Sequence, residues 1–310
     1  METIFYTAST QLSGRNHVTV GFFDGVHRGH QYLLSQLVRQ AHAVGEKAVA
    51  VTFEQDPLHT VAPSREPKHL STLSLRLQWL STTGIDACVV LPFTPAMAEL
   101  SAQDFLLQIL HRQLGAHLVM LGYDNRFGRR GTDNIELLQS VAKEQDITLT
   151  VCDDFKSPYG RLSSSLVRTL IADNRLAEAC ECLTRPHTIE GTVVSGYQQG
   201  RQLGFPTANL VLSDATLLLP PDGVYAVKAL IPGEDEPYCG MMNIGYRPTF
   251  GTHEKTLEVN LFHFEGNLYD RQLQVMFYQR IRDEKHFASE EDLARQLILD
   301  KENILQFFEK

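Results

Sequence analysis

The feature that most constrains the fold is a strand-like run that breaks into a glycine-rich turn and then meets two histidines. The run Val18-Thr-Val-Gly-Phe-Phe-Asp-Gly-Val-His-Arg-Gly-His30 is apolar at its start, and an amphipathic helical pattern follows it. A helix that begins after such a turn offers unpaired backbone N–H groups and a dipole that favours anions. His27 and His30 are three residues apart, so they share one helix face and can reach the same anion. The run predicts a phosphate-handling site.

The first half of the chain alternates strand-like and helix-like segments. The strand-like runs are Val18–Phe23, Ala48–Phe53, Ala87–Phe93, Leu118–Leu121 and Ile147–Val151, and helical patterns surround residues 30–44, 73–83, 101–114 and 134–145. Alternation of this kind predicts a Rossmann-like α/β domain with a parallel sheet covered on both faces. Ligands of such sheets bind at the carboxyl ends of the strands, where the histidine run falls.

After about residue 184 the segments become short, strand-like and rich in Gly and Pro. Examples are Ile189–Val194, Val224–Leu230, Leu257–Phe264 and Leu273–Tyr278. This spacing predicts a small antiparallel barrel or sandwich. A capping pattern at Ser289-Glu-Glu-Asp292 then begins a C-terminal helix. We therefore expect two domains, residues 1–184 and 185–310, in a chain of 310 residues.

Charge and composition limit the classes of binding partner and the cellular compartment that we expect for the chain. The net charge of −9 argues against a broad nucleic-acid footprint. Five cysteines without a Cys-x-x-Cys pair favour reduced thiols in a cytoplasmic protein. No secretory signal is visible, and no apolar run approaches the roughly 20 residues of a membrane helix. We expect a cytoplasmic protein with small-molecule substrates, no nucleic-acid or membrane partner, and a monomeric or weakly homo-oligomeric state.

Two further segments of the first half carry phosphate-binding chemistry. Arg161-Leu-Ser-Ser-Ser-Leu-Val-Arg168 places three hydroxyls before a helix, where they can cap it and meet phosphate oxygens. Arg168 on its first turn can hold a phosphate through two hydrogen bonds. Leu121-Gly-Tyr-Asp-Asn-Arg-Phe-Gly128 follows a strand, as a second loop at the same sheet edge should. The core His27-Arg28-Gly29-His30 by itself leaves several nucleotidyltransferase families open, class I aminoacyl-tRNA synthetases among them.

Together the three segments resemble the FMN adenylyltransferase domain of bacterial bifunctional riboflavin kinase/FAD synthetases. That family carries Gly-x-Phe-Asp-x-x-His-x-Gly-His, a Gly-x-Asp-x-x-Phe-Gly loop and a Ser-Ser-Thr/Ser-x-x-Arg motif. The resemblance implies transfer of AMP from ATP to FMN, with His27, His30 and Arg168 as catalytic residues. It implies nucleotide- or flavin-binding positions at Gly21, Phe23, Asp24, Gly29, Asp124, Ser163, Ser164 and Ser165.

The barrel carries a longer motif. Gly191-Thr-Val-Val-Ser-Gly-Tyr-Gln-Gln-Gly-Arg-Gln-Leu-Gly-Phe-Pro-Thr-Ala-Asn209 contains glycines at which backbone can approach phosphates closely. Thr207 and Asn209 face the same way in an extended segment, and their oxygens suit a hard cation. The run resembles the riboflavin kinase signature, which implies that these two residues hold the Mg²⁺ of ATP. It further implies nucleotide or flavin contacts at Gly200, Arg201, Gly204, Phe205, Pro206 and, in a later loop, Arg282.

The kinase reaction requires a base, because a flavin 5′-hydroxyl must lose its proton as it attacks the γ-phosphate. Glu258 stands at the carboxylate position of the resembled family, and strand alternation places it with Asn260 and Phe262 on one face. Gln55, Asn125, Ser165, Asn260 and His263 depart from common family patterns.

Two other interpretations remain open. A class I synthetase predicts a Lys-Met-Ser-Lys-Ser-like loop and a basic tRNA face, and the sequence shows neither. A non-catalytic flavin- or nucleotide-binding protein would have lost one or more of His27, His30, Thr207, Asn209 and Glu258, and all five are present.

Overall fold

The computed structural model describes residues 1–65, 67–122, 135–153, 155–195, 204–246 and 255–309. These residues form two compact units. The first contains residues 1–67 and 73–164, and the second contains residues 68–72 and everything from Ser165 onward. Asp124, Gly200 and Arg201, which the sequence predicts as binding residues, lie outside the described residues.

The first unit is built on a six-stranded sheet in the order β1-β4-β3-β2-β5-β6, and every pair in it is parallel. Its strands are β1 (Glu2–Phe5), β2 (Asn16–Val20), β3 (Lys47–Phe53), β4 (Ala87–Leu91), β5 (Ala116–Leu121) and β6 (Thr148–Val151). A short antiparallel pair follows, β7 (Lys156–Ser157) and β8 (Gly160–Arg161). The central strands β2 and β4 are buried along their whole length, as expected when both faces of a parallel sheet are covered.

The second unit is built on a closed antiparallel barrel in the order β10-β13-β12-β11-β14-β9. Its strands are β9 (His187–Val194), β10 (Ala208–Leu212), β11 (Gly223–Leu230), β12 (Tyr238–Tyr246), β13 (Lys255–Leu261) and β14 (Gln272–Arg282). Closure of the barrel pairs each strand with a neighbour on both sides. The parallel sheet, the antiparallel barrel and the C-terminal helix confirm the fold predicted from the sequence.

The predicted amphipathic patterns are helical in the structure, whereas the helices at Pro57–Val61, Pro95–Ala98 and Leu176–Leu183 were not predicted. The helices are α1 (Arg28–Ala43), α2 (Pro57–Val61), α3 (Leu73–Ser81), α4 (Pro95–Ala98), α5 (Ala102–Asp104), which continues as a π-helix over Phe105–Gln113, α6 (Ile135–Glu144), α7 (Ser164–Ala172), α8 (Leu176–Leu183) and α9 (Glu290–Glu309). The Ser289 side chain accepts from the Asp292 backbone N–H at 3.1 Å, which confirms the predicted capping pattern.

Each unit has its own hydrophobic core. In the first, the faces of β2, β3 and β4 pack on one side against Leu106 and Leu110 and on the other against Leu34 and Leu37 of α1. In the second, Ile304 of α9 packs against side chains of β11 and β12 on the barrel surface. Helix α9 therefore covers one outer face of the barrel, next to the strand that carries Glu258.

Candidate active sites

The histidine turn at the carboxyl end of β2 is a tightly wound, buried segment. Strand β2 ends at Val20, and Asp24–Val26 forms a single 3₁₀ turn before α1 begins. Phe23 has a φ of 56°, Gly25 of 71° and Val26 of 39°, so this turn passes through the left-handed region three times. For a β-branched residue such as Val26 that conformation costs about 1–3 kcal/mol. Strain of this kind is typical of functional loops held by their surroundings.

The two predicted histidines lie against each other. His27 is the N-cap of α1, where its Nδ1 accepts from the backbone N–H of His30 at 3.3 Å. A neutral His27 ring with Nδ1 as acceptor carries its proton on Nε2. The two rings stack with centroids 3.7 Å apart and planes 17° apart. The rings of Phe23 and His30 form a T-shaped contact with centroids 5.3 Å apart. Phe23 therefore packs against His30 on the side of the turn.

Two glycines of the turn lie close to aromatic rings. A Cβ on Gly21 would lie 3.0 Å from the ring of Phe23, and a Cβ on Gly29 would lie 3.2 Å from the ring of His27. A side chain at either position would require the neighbouring ring to move by a few tenths of an ångström. The resemblance treats both glycines as binding positions, and the structure gives each a packing reason to be glycine.

The serine segment reaches the same turn from the other side. Helix α7 begins at Ser164, whose hydroxyl donates to the backbone carbonyl of Asp24 at 3.1 Å. The Asp24 side chain is buried within the turn. The roles of Ser163, Ser165 and Arg168 as phosphate ligands stay predictions.

A buried arginine that the sequence reasoning missed lies beneath the turn. Arg76 of α3 is 1% exposed, its Nη2 donates to the Phe53 carbonyl at 2.5 Å, and its guanidinium lies 4.1 Å from the ring centroid of Phe22. Burial lowers the pKa of Arg76 to about 10, an effect that the charge of Asp24 opposes most strongly, so the group stays cationic near pH 7. In the sequence, Arg76 could be noticed only as a charged residue among the leucines of an otherwise apolar helix face.

The barrel carries a row of three polar residues across neighbouring strands. Glu258 of β13 pairs with Asn209 of β10 on one side and with Asn243 of β12 on the other. Directly paired residues point to the same face of a sheet, and all three of these side chains are half-buried. We call Asn209, Glu258 and Asn243 the polar row. The sequence reasoning selected the first two, whereas the cross-strand position of Asn243 requires the register of the sheet.

The polar row lies on the face of the barrel that α9 covers. Val224, which pairs with Asn243, and Met241, two residues along β12, both pack with Ile304 of α9. Side chains alternate along a strand, so residues two apart share a face. Phe262 belongs to the same cluster and Asn260 pairs with Met241, in agreement with the predicted common face of Glu258, Asn260 and Phe262.

Around this row, the predicted kinase motif is held by its own contacts. Thr207 precedes β10 by one residue and is half-buried, two positions before Asn209. The Asn260 side chain donates to the Pro206 carbonyl at 2.6 Å and so anchors the strand entry. The side chain of Phe205 packs in the same hydrophobic cluster as Ile304, so it has a structural role in the core. Gly204 adopts a φ of 79°, a conformation that favours glycine.

The end of β14 and the loop after it meet the same face, and Arg282, predicted to lie in a loop, is the last residue of β14. Arg282 donates from Nε to both carboxylate oxygens of Asp300, at 3.1 and 2.9 Å, and Asp300 is 1% exposed in α9. This buried pair gives Arg282 a structural partner, and its predicted flavin contact stays a prediction. Glu284 closes over Gly245 of β12, where an added Cβ would lie 2.0 Å from Glu284 Oε1. The described part of that loop thus rests on the strand that carries Asn243.

The donor set on this strand fits a hard divalent cation. Thr207 offers a hydroxyl oxygen and Asn209 an amide oxygen, and Glu258 lies opposite Asn209. Mg²⁺ prefers oxygen ligands, usually a few from protein with the rest from substrate phosphates and water.

Among the helices that the structure describes, none combines the length and the apolar content needed to cross a bilayer.

Comparison with known proteins matches a family model to each half of the chain. A family model described as FAD synthetase matches residues 9–166, and one described as riboflavin kinase matches residues 183–308. The chain is 37% identical to the bifunctional riboflavin kinase/FMN adenylyltransferase of Escherichia coli K12, over 94% of this chain and 92% of that protein. It is 32% identical to the Bacillus subtilis protein of the same description, over 99% and 98% of the two chains.

Among solved structures, a Streptococcus pneumoniae protein named as a macrolide-efflux protein has a TM-score of 0.85 and 30% identity, covering 97% of this chain and 98% of that one. That likeness extends over both the sheet and the barrel. With two family models and relatives matched along nearly their whole length, the chain belongs to the bifunctional riboflavin kinase/FMN adenylyltransferase family.

Proposed function

We propose that the chain performs the last two steps of flavin cofactor synthesis, the first at the barrel and the second at the parallel sheet. Riboflavin and ATP give FMN and ADP at the barrel, and FMN and a second ATP give FAD and pyrophosphate at the parallel sheet. Residues 185–310 would carry the kinase and residues 1–184 the adenylyltransferase. The observation that carries the division is that the histidine turn and the polar row lie in different units, each within the matching family model.

In the adenylyl transfer, an FMN phosphate oxygen attacks the α-phosphorus of ATP, and the bond to the pyrophosphate oxygen breaks. The nucleophile is already ionised, so alignment and charge stabilisation supply the catalysis. His27 directs its Nε2–H away from the helix backbone, which suits donation to a phosphate oxygen. His30, stacked on it, would be the second donor. Arg168 and the hydroxyls of Ser163–Ser165 would bind phosphate oxygens, with Asp24 and Asp124 near the nucleotide.

In the kinase step, the riboflavin 5′-hydroxyl attacks the γ-phosphorus, the bond to the ADP oxygen breaks, and Glu258 takes the hydroxyl proton. The amides of Asn209 and Asn243 flank Glu258 and would orient the carboxylate and its substrate. Mg²⁺, held by Thr207 and Asn209, would neutralise phosphate charge when bound. The backbone from Gly200 to Pro206 would face the phosphates, and Arg282 the flavin.

The decisive experiment incubates the purified chain with riboflavin and Mg-ATP and separates the flavins by chromatography. We expect FMN to appear first and FAD to follow as FMN accumulates. Omission of Mg²⁺ with added chelator should stop both reactions. Formation of neither flavin by the folded protein would overturn the proposal, and flavin binding without turnover would indicate a binding protein instead. Size-exclusion chromatography of the same sample tests the predicted monomeric or weakly associated state.

A further inference from the structure

A second pair of histidines lies at the amino-terminal edge of the parallel sheet. His17 is the second residue of β2, His117 is the second residue of β5, and Glu46 directly precedes β3. These three strands are neighbours in the order β3-β2-β5. The histidine turn leaves β2 at its other end, about 13 Å away at the usual rise of a strand. The proposed reactions use none of these three side chains.

An irregularity in the sheet brings the two imidazoles to one side. Asn16 pairs with Ala116, but the next residue, His17, pairs with Leu118, so His117 is an extra residue in the β2–β5 ladder. Extra residues of this kind turn a side chain away from its regular direction. The result is a contact between the two rings, with centroids 5.0 Å apart and planes 67° apart.

Both imidazoles converge on one carboxylate oxygen. Glu46 Oε2 lies 3.1 Å from His17 Nε2 and 3.0 Å from His117 Nε2. Among the described residues, this buried oxygen has no donor aligned as a hydrogen bond requires, although it has two nitrogens at hydrogen-bond distance. Three ligand-type atoms thus meet around a common point, and all lie within 4.8 Å of one another.

The charges around the cluster leave that oxygen available. Arg15 Nε contacts the other oxygen, Glu46 Oε1, at 3.5 Å, and its Nη1 lies 3.7 Å from Asp146 Oδ2. The His17 side chain is 5% exposed, whereas those of Glu46 and His117 are 19% and 17% exposed. The cluster is therefore nearly enclosed at His17 and open to small solutes beside the other two.

We propose that His17 Nε2, His117 Nε2 and Glu46 Oε2 bind a divalent transition-metal ion of the zinc type. Two imidazoles and one carboxylate form a ligand set that suits Zn²⁺ and disfavours Mg²⁺. Tetrahedral ligands at about 2.0–2.1 Å from the ion are about 3.3 Å apart, so the nitrogen–oxygen distances need to open by only a few tenths of an ångström. The ion would tie together the starts of β2, β3 and β5.

The test uses the full-length, tag-free chain, freed of metal with chelator and then given Zn²⁺ alone or Co²⁺ alone. We expect one equivalent of Zn²⁺ to remain after gel filtration. Co²⁺ should give visible absorption bands typical of four-coordinate sites. His117→Gln and Glu46→Gln, changes at the two more exposed ligands, should each weaken binding at least about tenfold. His42→Gln, at an exposed histidine of the same unit, is the matched control and should bind as the wild type does.

Two outcomes would overturn the proposal. One is a folded wild-type chain that retains no metal, which would make the cluster a proton-sharing contact only. The other is binding that both ligand variants leave unchanged, which would place the ion elsewhere. Far-UV circular dichroism checks that each variant is folded, and if one is not, the other decides. FMN and FAD formation by the variants should be unaffected, so failure here is distinguishable from failure of the proposed function.

Discussion

The histidine turn and the polar row, the two proposed sites of phosphorus transfer, carry different side chains. The first offers two stacked imidazoles at a helix start. The second sets a carboxylate between two amides on adjacent strands. The difference follows from the nucleophile: a phosphate is already ionised, whereas an alcohol must be deprotonated. Under the proposed assignment, the two sites differ in whether the reaction requires a base.

The largest expected effect is that of removing the base from the polar row. Glu258→Gln should slow FMN formation by about 10²–10⁴-fold, because the amide is similar in shape but cannot accept the proton. FAD formation from supplied FMN should stay at the wild-type rate. The two rates are measured separately by chromatography. Glu236→Gln, on an exposed barrel loop, is the control, and equal loss of both reactions in folded Glu258→Gln would contradict the division between units.

A smaller loss, in the opposite reaction, is expected from the histidine turn. His30→Ala should reduce FAD formation from FMN by about 10²–10³-fold, since it removes one donor to the charge that develops on the phosphates. Riboflavin phosphorylation should not change. His30 is preferred to His27 because His27 also caps α1. His42→Ala, near the other end of that helix, is the control. Wild-type FAD formation by His30→Ala would assign that ring to packing against Phe23.

The smallest effect separates the units by acid sensitivity. Burial lowers the pKa of His187 in β9 from 6.5 to about 4, and its Nε2 donates to the Leu218 carbonyl at 2.8 Å. Between pH 6.5 and 4 the unfolded chain binds the proton and the folded one does not. The barrel should therefore lose stability as pH falls through that window, by about 3 kcal/mol in total. His187→Gln should keep the donor and flatten the dependence.

Two probes can follow the units separately in that experiment. Trp79, the single tryptophan, lies in α3 of the first unit, so its fluorescence reports that unit. Hydrogen–deuterium exchange of peptides from β11 and β14 reports the barrel. In urea titrations at pH 7 and pH 5, His187→Gln should change only the barrel's response. An unchanged barrel response in the variant would show that another group controls its acid sensitivity.

Local signals made most of the fold predictable from sequence. Some helices begin at recognisable capping residues, such as Ser101 and Ser289, and Gly25 of the histidine turn has a positive φ. Strand β1 was missed because its four residues are nearly all exposed and it pairs with β4, some 85 positions later. Short, exposed edge strands contain too few buried apolar residues to produce a recognisable strand pattern in the sequence.

The candidate sites were predictable only where a motif is contiguous. His27 with His30, and Thr207 with Asn209, are fixed by spacing along one segment. Asn243 joins the polar row through strand register, and Arg76 reaches the turn from a helix about 50 residues away. Such long-range relations depend on the tertiary fold, and a single sequence does not contain them in readable form.

The segment Lys68–Thr72 has a consequence for how the protein is made. His69 exchanges backbone hydrogen bonds with Thr216 and Leu218, at 2.7 Å each, and the Lys68 amine bonds the Ala215 carbonyl, 147 positions later. At about 5–20 residues per second, a ribosome needs roughly 7–30 s to supply those partners. While the first unit folds during synthesis, the segment Lys68–Thr72 therefore still lacks these hydrogen-bond partners. The bonds form only after the barrel residues have been synthesised. A gene cut between the units would separate that loop from the barrel it completes.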